Sequence, residues 1–448
     1  TSSYGCKSIP ETHAIDVGII PIVNFSFLGV STATPISFTN GTVINPGSVS
    51  DGIGSLDWNY DDGNTQTVTA NFTTPVTNQY ANPGRYDVEL EVTSLLGCTN
   101  TKTQTIIVVP QFKPTDLLAY EENFEATDGG WQPDGLGSTP TWASGIPSKT
   151  VITPAPNNGQ RIWVTGLATP YGSNERSALY SPSFDLSELD RPMISFNSFR
   201  QLAAGEGVVL EFSTDNKNVA DPTKQWTVLG KLINQQITGV GWYNGIGLSS
   251  QPGNQTTGLG WTGERDSWID SKHVLDTVLL QPQVVFRFAL ATLTQSPTLD
   301  GFAIDNVRVG NRTRTILVEN FKNAGRPASS NEKTESDFLK TFKNGAIGTK
   351  LVKINYHVGF PQADPFNQDN PADPSSRALY YNVQSTPIAR LDGNHAPGKA
   401  STKFSDWGEA WYDEQTLKLA NAVITPNAVV NGDGSISVDV DVEAISIN

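Results

Sequence analysis

The sequence predicts a multidomain, mainly β chain: two β-sandwiches in series, followed by an α/β unit. Three observations predict it. Of 448 residues, 40 are Gly and 28 are Pro, and only 17% are charged, a balance that favours turn-rich strands over long helices. Apolar and polar residues alternate with period two through Ile36–Phe38, Thr67–Phe72, Tyr86–Val92 and Thr103–Val109, separated by Asn-Gly, Pro-Gly and Asp-Gly turns. Helical spacing of apolar residues appears mainly after residue 311. At roughly 100–200 residues per domain, the length suits about three domains.

Charge narrows the partners. Thirty Lys and Arg stand against 45 Asp and Glu, a formal net charge of −15, and binding to a phosphate backbone needs the opposite sign. Nucleic acid is excluded as a partner on that ground. No apolar run approaches the ~18 residues of a membrane span. The chain opens Thr1–Ser3 with no initiator or charged-then-apolar leader, and its single Met is Met193. The expectation is a processed or excised piece whose secretion signal lies outside it. Low Lys content, abundant Asn, Thr, Ser and Gly, and the acidic balance suit an extracellular surface.

The two cysteines, Cys6 and Cys98, are too few for a disulfide scaffold and do not form a metal-ligand pair. They mark a repeat. Thr1–Cys6 (TSSYGC) parallels Thr93–Cys98 (TSLLGC) at a spacing of 92 residues, close to one small sandwich. Each is followed by apolar alternation ending in proline, at His13–Pro21 and Thr105–Pro110. Residues 1–20 are therefore expected to be the last strand of a preceding repeat, and 21–110 a complete sandwich.

Two linked motifs give that sandwich a family resemblance. Trp58–Gly63 (WNYDDG) and Tyr80–Val92 (YANPGRYDVELEV) resemble the PKD family, with Asp61 in place of that family's first turn Gly and Asn78 in place of its His. The resemblance implies an Ig-like fold in which Trp58 and Tyr86 fill the core, Asp62-Gly63 makes a tight turn, and the module acts as a spacer or binding unit. It also implies that Cys98 lacks its usual partner, since Thr32–Ile36 carries no Cys.

Residues 116–311, after the linker Gln111–Asp116, contain three ordered patches: Glu121–Glu125 with Gly130-Trp131 and Trp142; Asn174–Leu186 with Ile194–Phe196; and Asp300–Val309. Together they resemble the concanavalin-like or MAM-like jelly rolls of secreted bacterial proteins, with Val208–Asp215 and Gln225–Gly230 as the central strand and its turn. Such modules often carry a structural ion, and the resemblance implies a Ca²⁺ site in which Asp305 faces Glu122 or Glu125 where first and last strands meet. The alternative is that these acids are solvated turn and edge residues. Trp242, Tyr243, Trp261 and Trp268 are candidates for stacking on a glycan, against the plain reading that sandwich tryptophans pack the core or an edge. Residues 231–262 show little periodicity and read as a long surface loop.

In residues 312–421 the pattern alternates: strand Thr315–Phe321, helix Ser330–Asn344, strand Leu351–Tyr356, helix Ser375–Val383, strand Pro387–Gly393, helix Trp407–Ala420. The order, with Glu319–Gly325 and Ser385–Pro387 before Asp392-Gly393, resembles the thioredoxin-like fold, closest to a secreted, outer-membrane-associated branch found in Bacteroidota. The resemblance implies a cis-Pro at Pro387 and a Cys-x-x-Cys after Gly325. This chain has Arg326–Ser329 (RPAS) there instead, with Arg326 and Ser329 in place of the redox cysteines. Without a thiolate there is no nucleophile for disulfide exchange; binding of an extended peptide beside Pro387 is the remaining role.

No Gly-x-Ser-x-Gly elbow, His-Glu-x-x-His helix, phosphate loop or dinucleotide fingerprint occurs. His357 and His395 share the third region as a metal pair or, on the plainer reading, as hydrogen-bonded structural residues. Residues 422–448 read as a hairpin around Asn431–Gly434, the first strands of a further sandwich.

The expected function is a non-catalytic segment of a giant, secreted surface adhesin or a structural subunit of an extracellular filament, exported by a type IX-like route. Its partners would be other domains of the same chain, further copies of itself, or a glycan or other cell-surface ligand. Structural Ca²⁺ is the one cofactor expected. The alternative is a spacer and glycan-binding accessory region of a secreted protease or glycosidase.

Overall fold

The computed structural model describes residues 3–5, 11, 17–29, 31–45, 51–154, 159–214, 226–233, 236–294, 298–325, 351–394, 401, 403, 407–418, 420 and 422–444. The chain is mainly β and multidomain, with separate cores in series.

The first sandwich packs a three-stranded sheet on a four-stranded one. The former holds β1 (Phe25–Leu28), β2 (Ile36–Asn40) and β5 (Val76–Asn78); the latter holds β3 (Ile53–Asn59), β4 (Thr65–Val68), β6 (Gly84–Ser94) and β7 (Thr99–Val108), in the order β4-β3-β6-β7. Alternation sets the inward face: Val88, Leu90 and Val92 of β6 are buried, with Ile106 and Val108 of β7. Trp58 is buried and stacks at 6.3 Å on Tyr60, with Phe25 at 5.1 Å edge-on. Tyr86 is only half-buried; Tyr80 takes the inner position and donates to the Tyr60 carbonyl at 3.0 Å.

The turn after β3 explains both departures from the family pattern. Asp61 accepts φ +61° where the pattern has Gly, and its Oδ2 receives the Asp87 N–H at 2.9 Å. Asn78 donates to Asp62 Oδ2 at 2.7 Å and accepts from Asn64, so its amide ties the turn to β5. Cys98 is a free, half-buried thiol. Most of residues 1–20, including Cys6, lies outside the described residues; Ile19 N–H donates to Asp51 at 2.7 Å.

The second sandwich is the largest unit. Its strands are β8 (Gln111–Phe112), β9 (Tyr120–Glu122), β10 (Gln132–Asp134), β11 (Trp142–Gly145), β12 (Ile162–Thr165), β13 (Arg176–Phe184), β14 (Pro192–Gln201), β15 (Gly207–Ser213), β16 (Thr227–Val228), β17 (Leu232–Ile233), β18 (Gln236–Ile237), β19 (Ile269–Val274), β20 (Val284–Ala291) and β21 (Gly301–Asn311). One sheet runs β10-β13-β20-β15-β16 with β8 alongside β13; the other runs β11-β12-β21-β14-β19 with β9 on β21. First and last strands meet, Glu122 opposite Val307 and Tyr120 opposite Val309. Between the sheets lie Phe124, Trp131, Phe196, Trp261, Phe288 and Phe302. Every residue of β20 is buried, on both faces, so something covers the outer face of that sheet as well.

The third unit has the sheet order β23-β22-β24, with β22 (Ile316–Lys322) parallel to β23 (Leu351–His357) and antiparallel to β24 (Ile388–Leu391). Its helices are α1 (Pro365–Asp369), α2 (Ala372–Tyr380) and α3 (Glu409–Thr416). Asp364 caps α1, accepting from Phe366 and Asn367 N–H. The Thr386–Pro387 and Phe360–Pro361 peptide bonds are cis. The helix expected over Ser330–Asn344, with Arg326 and Ser329, lies outside the described residues.

The chain then forms a hairpin of β25 (Ala422–Val430) and β26 (Ile436–Ala444). Register puts Ile424, Pro426, Ala428 and Val430 opposite Val442, Val440, Val438 and Ile436, so one face is apolar. All of β26 is exposed. Among the described residues nothing covers that face.

Candidate functional site

Acidic side chains gather where β9 meets β21, but unequally. Asp305 of β21 is 1% exposed; its Oδ1 accepts the Asn306 N–H at 2.7 Å, while its Oδ2 is buried with no hydrogen-bond partner. Burial is the main cause that raises its carboxyl to about 7, helped by the charge of Glu125. The Asn306 backbone at φ +51° and the slipped register opposite Ser195–Asn197 turn Asp305 into this position. Glu125 Oε1 accepts from the Gln160 and Arg161 N–H groups at 2.8 and 2.7 Å, leaving its second oxygen uncommitted in these bonds. Glu122 serves its own turn, accepting the Phe124 N–H at 2.7 Å and lying over Gly129.

A hard cation would therefore find two carboxylates here, Glu125 and Asp305, with an orphaned oxygen on the latter. Among the described residues no three His, Cys, Asp or Glu side chains converge as a metal site. Further ligands would have to be main-chain oxygens or water, which Ca²⁺ accepts readily.

The four aromatic candidates do not form an exposed platform. Trp261 is 0% exposed, Tyr243 5% and Trp242 6%. Their rings pack within 4.6–5.4 Å of one another, and Trp261 meets Phe196 at 5.6 Å. Their polar ends are satisfied inside: Trp242 Nε1 donates to the Leu229 carbonyl at 3.0 Å, and the Tyr243 hydroxyl donates to the same carbonyl at 2.7 Å while accepting from Leu210 N–H. The segment read as a surface loop lies flat against the sheet instead. Glycine makes that approach close: a Cβ on Gly241 would stand 2.3 Å from the Asp270 carbonyl oxygen, and one on Gly260 2.8 Å from that of Val208. Trp268 alone is half-buried, edge-on to Phe199 and donating to the Thr153 carbonyl at 2.9 Å.

Sequence reasoning passed over the polar cluster on the outer face of the β20 sheet. Glu211, 0% exposed, accepts from Arg287 Nε at 2.8 Å. Arg287 also donates to the Tyr180 hydroxyl at 3.1 Å and lies 4.1 Å from the Trp226 ring. Asn254 N–H reaches Glu211 at 2.5 Å, closing the cluster from above. The signal was a lone charge in mid-strand, Glu211 after Val208–Leu210 and Arg287 between Phe286 and Phe288. Such charges are nearly always paired.

Between the second sandwich and α3 lies a cleft of about 630 Å³, lined by Phe212, Val228, His273, Asp276, Asp413 and Leu417 among others. Beside it Arg312, fully buried, donates to Asp276 at 2.7 and 2.9 Å and to Asp413 at 3.4 Å. His273 faces Thr238 and the Val274 carbonyl, and burial pushes its pKa down to about 4. In the third unit His357 Nδ1 is 3.0 Å from Asp364 Oδ2, which also accepts the Ala324 N–H. His357 is thus tied into the cap of α1, as its plainer reading has it; His395 lies outside the described residues. No helix among the described residues is long and apolar enough to cross a membrane.

Residues 32–108 match the PKD domain family. No curated protein matches the sequence. Among solved structures, the chain is similar to the PKD1 domain of Vibrio anguillarum Epp, at 26% identity over 20% of this chain and 93% of that one, TM-score 0.17. It is also similar to the K3 cleaved adhesin domain of Lys-gingipain from Porphyromonas gingivalis, at 14% identity over 43% and 98%, TM-score 0.27. A third similarity is to a carbohydrate-binding module of the β-sandwich superfamily, at 17% identity over 67% and 99%, TM-score 0.24.

Proposed function

We propose that this chain is a non-catalytic segment of a large secreted, cell-surface protein, working as an adhesin or as a structural subunit of an extracellular filament. The observation that carries the reading is the PKD match at residues 32–108, set directly against a second, independently cored sandwich. A spacer joined to a binding module is the arrangement of a mosaic surface chain. The third unit is read as thioredoxin-like from its β23-β22-β24 order with one parallel and one antiparallel pairing. With cysteines only at positions 6 and 98, it has no thiolate for redox chemistry. Self-association, export by a type IX-like route and contact with a glycan belong to the same reading. Ring stacking on a sugar then falls to Trp268, since the other three aromatics are spent in the core. Electron microscopy of the native full-length material is the test: filaments or long beaded chains are expected. A compact particle with co-purifying protease or glycosidase activity contradicts this reading and favours an accessory region of a secreted hydrolase.

A structural Ca²⁺ held by Glu125 and Asp305 is part of the proposal. An acid whose folded pKa is raised binds more protons folded than unfolded. Between about 4 and about 7 the Asp305 contribution to stability therefore falls as pH rises. Bound Ca²⁺ removes that penalty. The melting temperature at pH 7.5, roughly neutral and above both values, is expected to rise with Ca²⁺ and fall with chelator. In Asp305→Asn both responses disappear, and the wild-type-minus-variant difference isolates the slope from that of His273, whose lowered pKa gives the opposite trend. No heat on titration with Ca²⁺ and no chelator effect would sink the site.

A further inference from the structure

We propose that the second sandwich contains a cation site built from main-chain carbonyls, and that the chain fills it with its own Lys149 ammonium. Nζ of Lys149 lies 3.1 Å from the Thr165 carbonyl oxygen, 2.8 Å from that of Thr169 and 2.5 Å from that of Asp300. These oxygens come from the end of β12, the turn after it and the residue before β21. Three segments converge on one point.

The backbone is bent to make them converge. Gly166 sits at φ +71°, and a Cβ there would stand 2.4 Å from the Thr169 carbonyl oxygen. Gly301 sits at φ +99°, and its Cβ would stand 2.0 Å from Thr165 Oγ1. A side chain at Gly166 would press on the Thr169 carbonyl and one at Gly301 on the Thr165 side chain, displacing two of the three residues that supply the oxygens. Three carbonyl dipoles aimed at one another repel unless a cation or donor lies between them, and an ammonium offers one N–H to each.

The Asp300 carboxylate is not part of the coordinating set. Its Oδ2 accepts the Val151 and Ile152 N–H groups at 2.6 and 2.9 Å, which folds the chain back just after Lys149 and aims the stem. Burial lowers the amine to about 8, opposed by the nearby Asp300 charge, so the proton is retained at neutral pH. Three neutral oxygens at 2.5, 2.8 and 3.1 Å suit a monovalent ion, ammonium or K⁺, whereas Ca²⁺ draws six to eight oxygens, carboxylates commonly among them, in to about 2.3–2.6 Å.

The test is the 448-residue chain with Lys149→Ala, melted in tetramethylammonium, Na⁺, K⁺, NH₄⁺ and ethylammonium chlorides at equal ionic strength. In tetramethylammonium, too large to enter, the variant is expected to melt roughly 2–8 °C below wild type. NH₄⁺, ethylammonium or K⁺ should recover at least half of that shift, each variant being read against wild type in the same salt so that general salt effects on stability cancel. Lys149→Met keeps an apolar stem without the charge and should show the same salt selectivity, which keeps the inference testable if the Ala variant does not fold. Unchanged melting of either variant overturns the proposal. So does a loss that every salt leaves the same, which would assign Lys149 to packing alone.

Discussion

Trp261→Ala is expected to destabilise the second sandwich by about 3–5 kcal/mol, the range for deleting a buried large aromatic. Trp261 is fully buried and touches Trp242, Tyr243, Phe196 and Phe302. Its loss leaves a void bounded by other rings, which are too rigid to collapse into it. The effect is read by denaturant unfolding of the whole chain, followed by the change in tryptophan fluorescence. A stacking platform for sugars would behave in the opposite way: truncation would leave stability unchanged and abolish retention on a glycan surface. Trp268→Ala provides the contrast, since Trp268 is only half-buried and should cost far less.

Glu211→Ala is expected to be as damaging, about 3–5 kcal/mol, because it strands the Arg287 guanidinium in a buried setting. Arg287 would keep the Tyr180 hydroxyl and the Trp226 ring but lose its only carboxylate among the described ion pairs. The hydrogen bond from Asn254 N–H to Glu211 would be lost as well. Replacing both charges, Glu211→Leu with Arg287→Met, removes the stranded charge and should recover most of the loss. Unfolding midpoints of Glu211→Leu, Arg287→Met and the double variant form the cycle that measures this coupling. Additive losses would show that the pair is not coupled and that each side chain acts through packing.

These two expectations mark what the sequence made legible and what it hid. Period-two alternation in Tyr86–Val92 and the turn at Asp62-Gly63 were enough to place the first sandwich, because there one face meets the core and the other meets water. The meeting of β9 with β21 was also legible, since Glu121–Glu125 and Asp300–Val309 each carry a distinctive patch. The burial of Trp242, Tyr243 and Trp261 was not. They sit in an irregular segment with no period, and their inward placement depends on how closely Gly241 and Gly260 let that segment approach the sheet. The interleaving of glycine with aromatics was the available signal. Glu211 and Arg287 were hidden for a related reason: pairing across β15 and β20 brings them together, and register is a tertiary fact. Lys149 gave no sequence signal at all, because its partners are backbone carbonyls that any residue could supply.

The acidic corner shows the same division. The sequence patch marks Asp305 as a candidate and leaves Glu122 and Glu125 as equivalent partners for it. Only the path of the chain after β9 separates them, giving Glu122 to the Phe124 turn and Glu125 to the Gln160 and Arg161 N–H groups, from where its charge acts on Asp305.

The most direct test of the account as a whole is surface labelling of intact cells that make the full-length protein. Antibodies raised against this chain should label unpermeabilised cells or filaments attached to them, and brief protease treatment of intact cells should remove the signal. Labelling only after permeabilisation, with the chain resistant to external protease, would contradict a cell-surface mosaic protein.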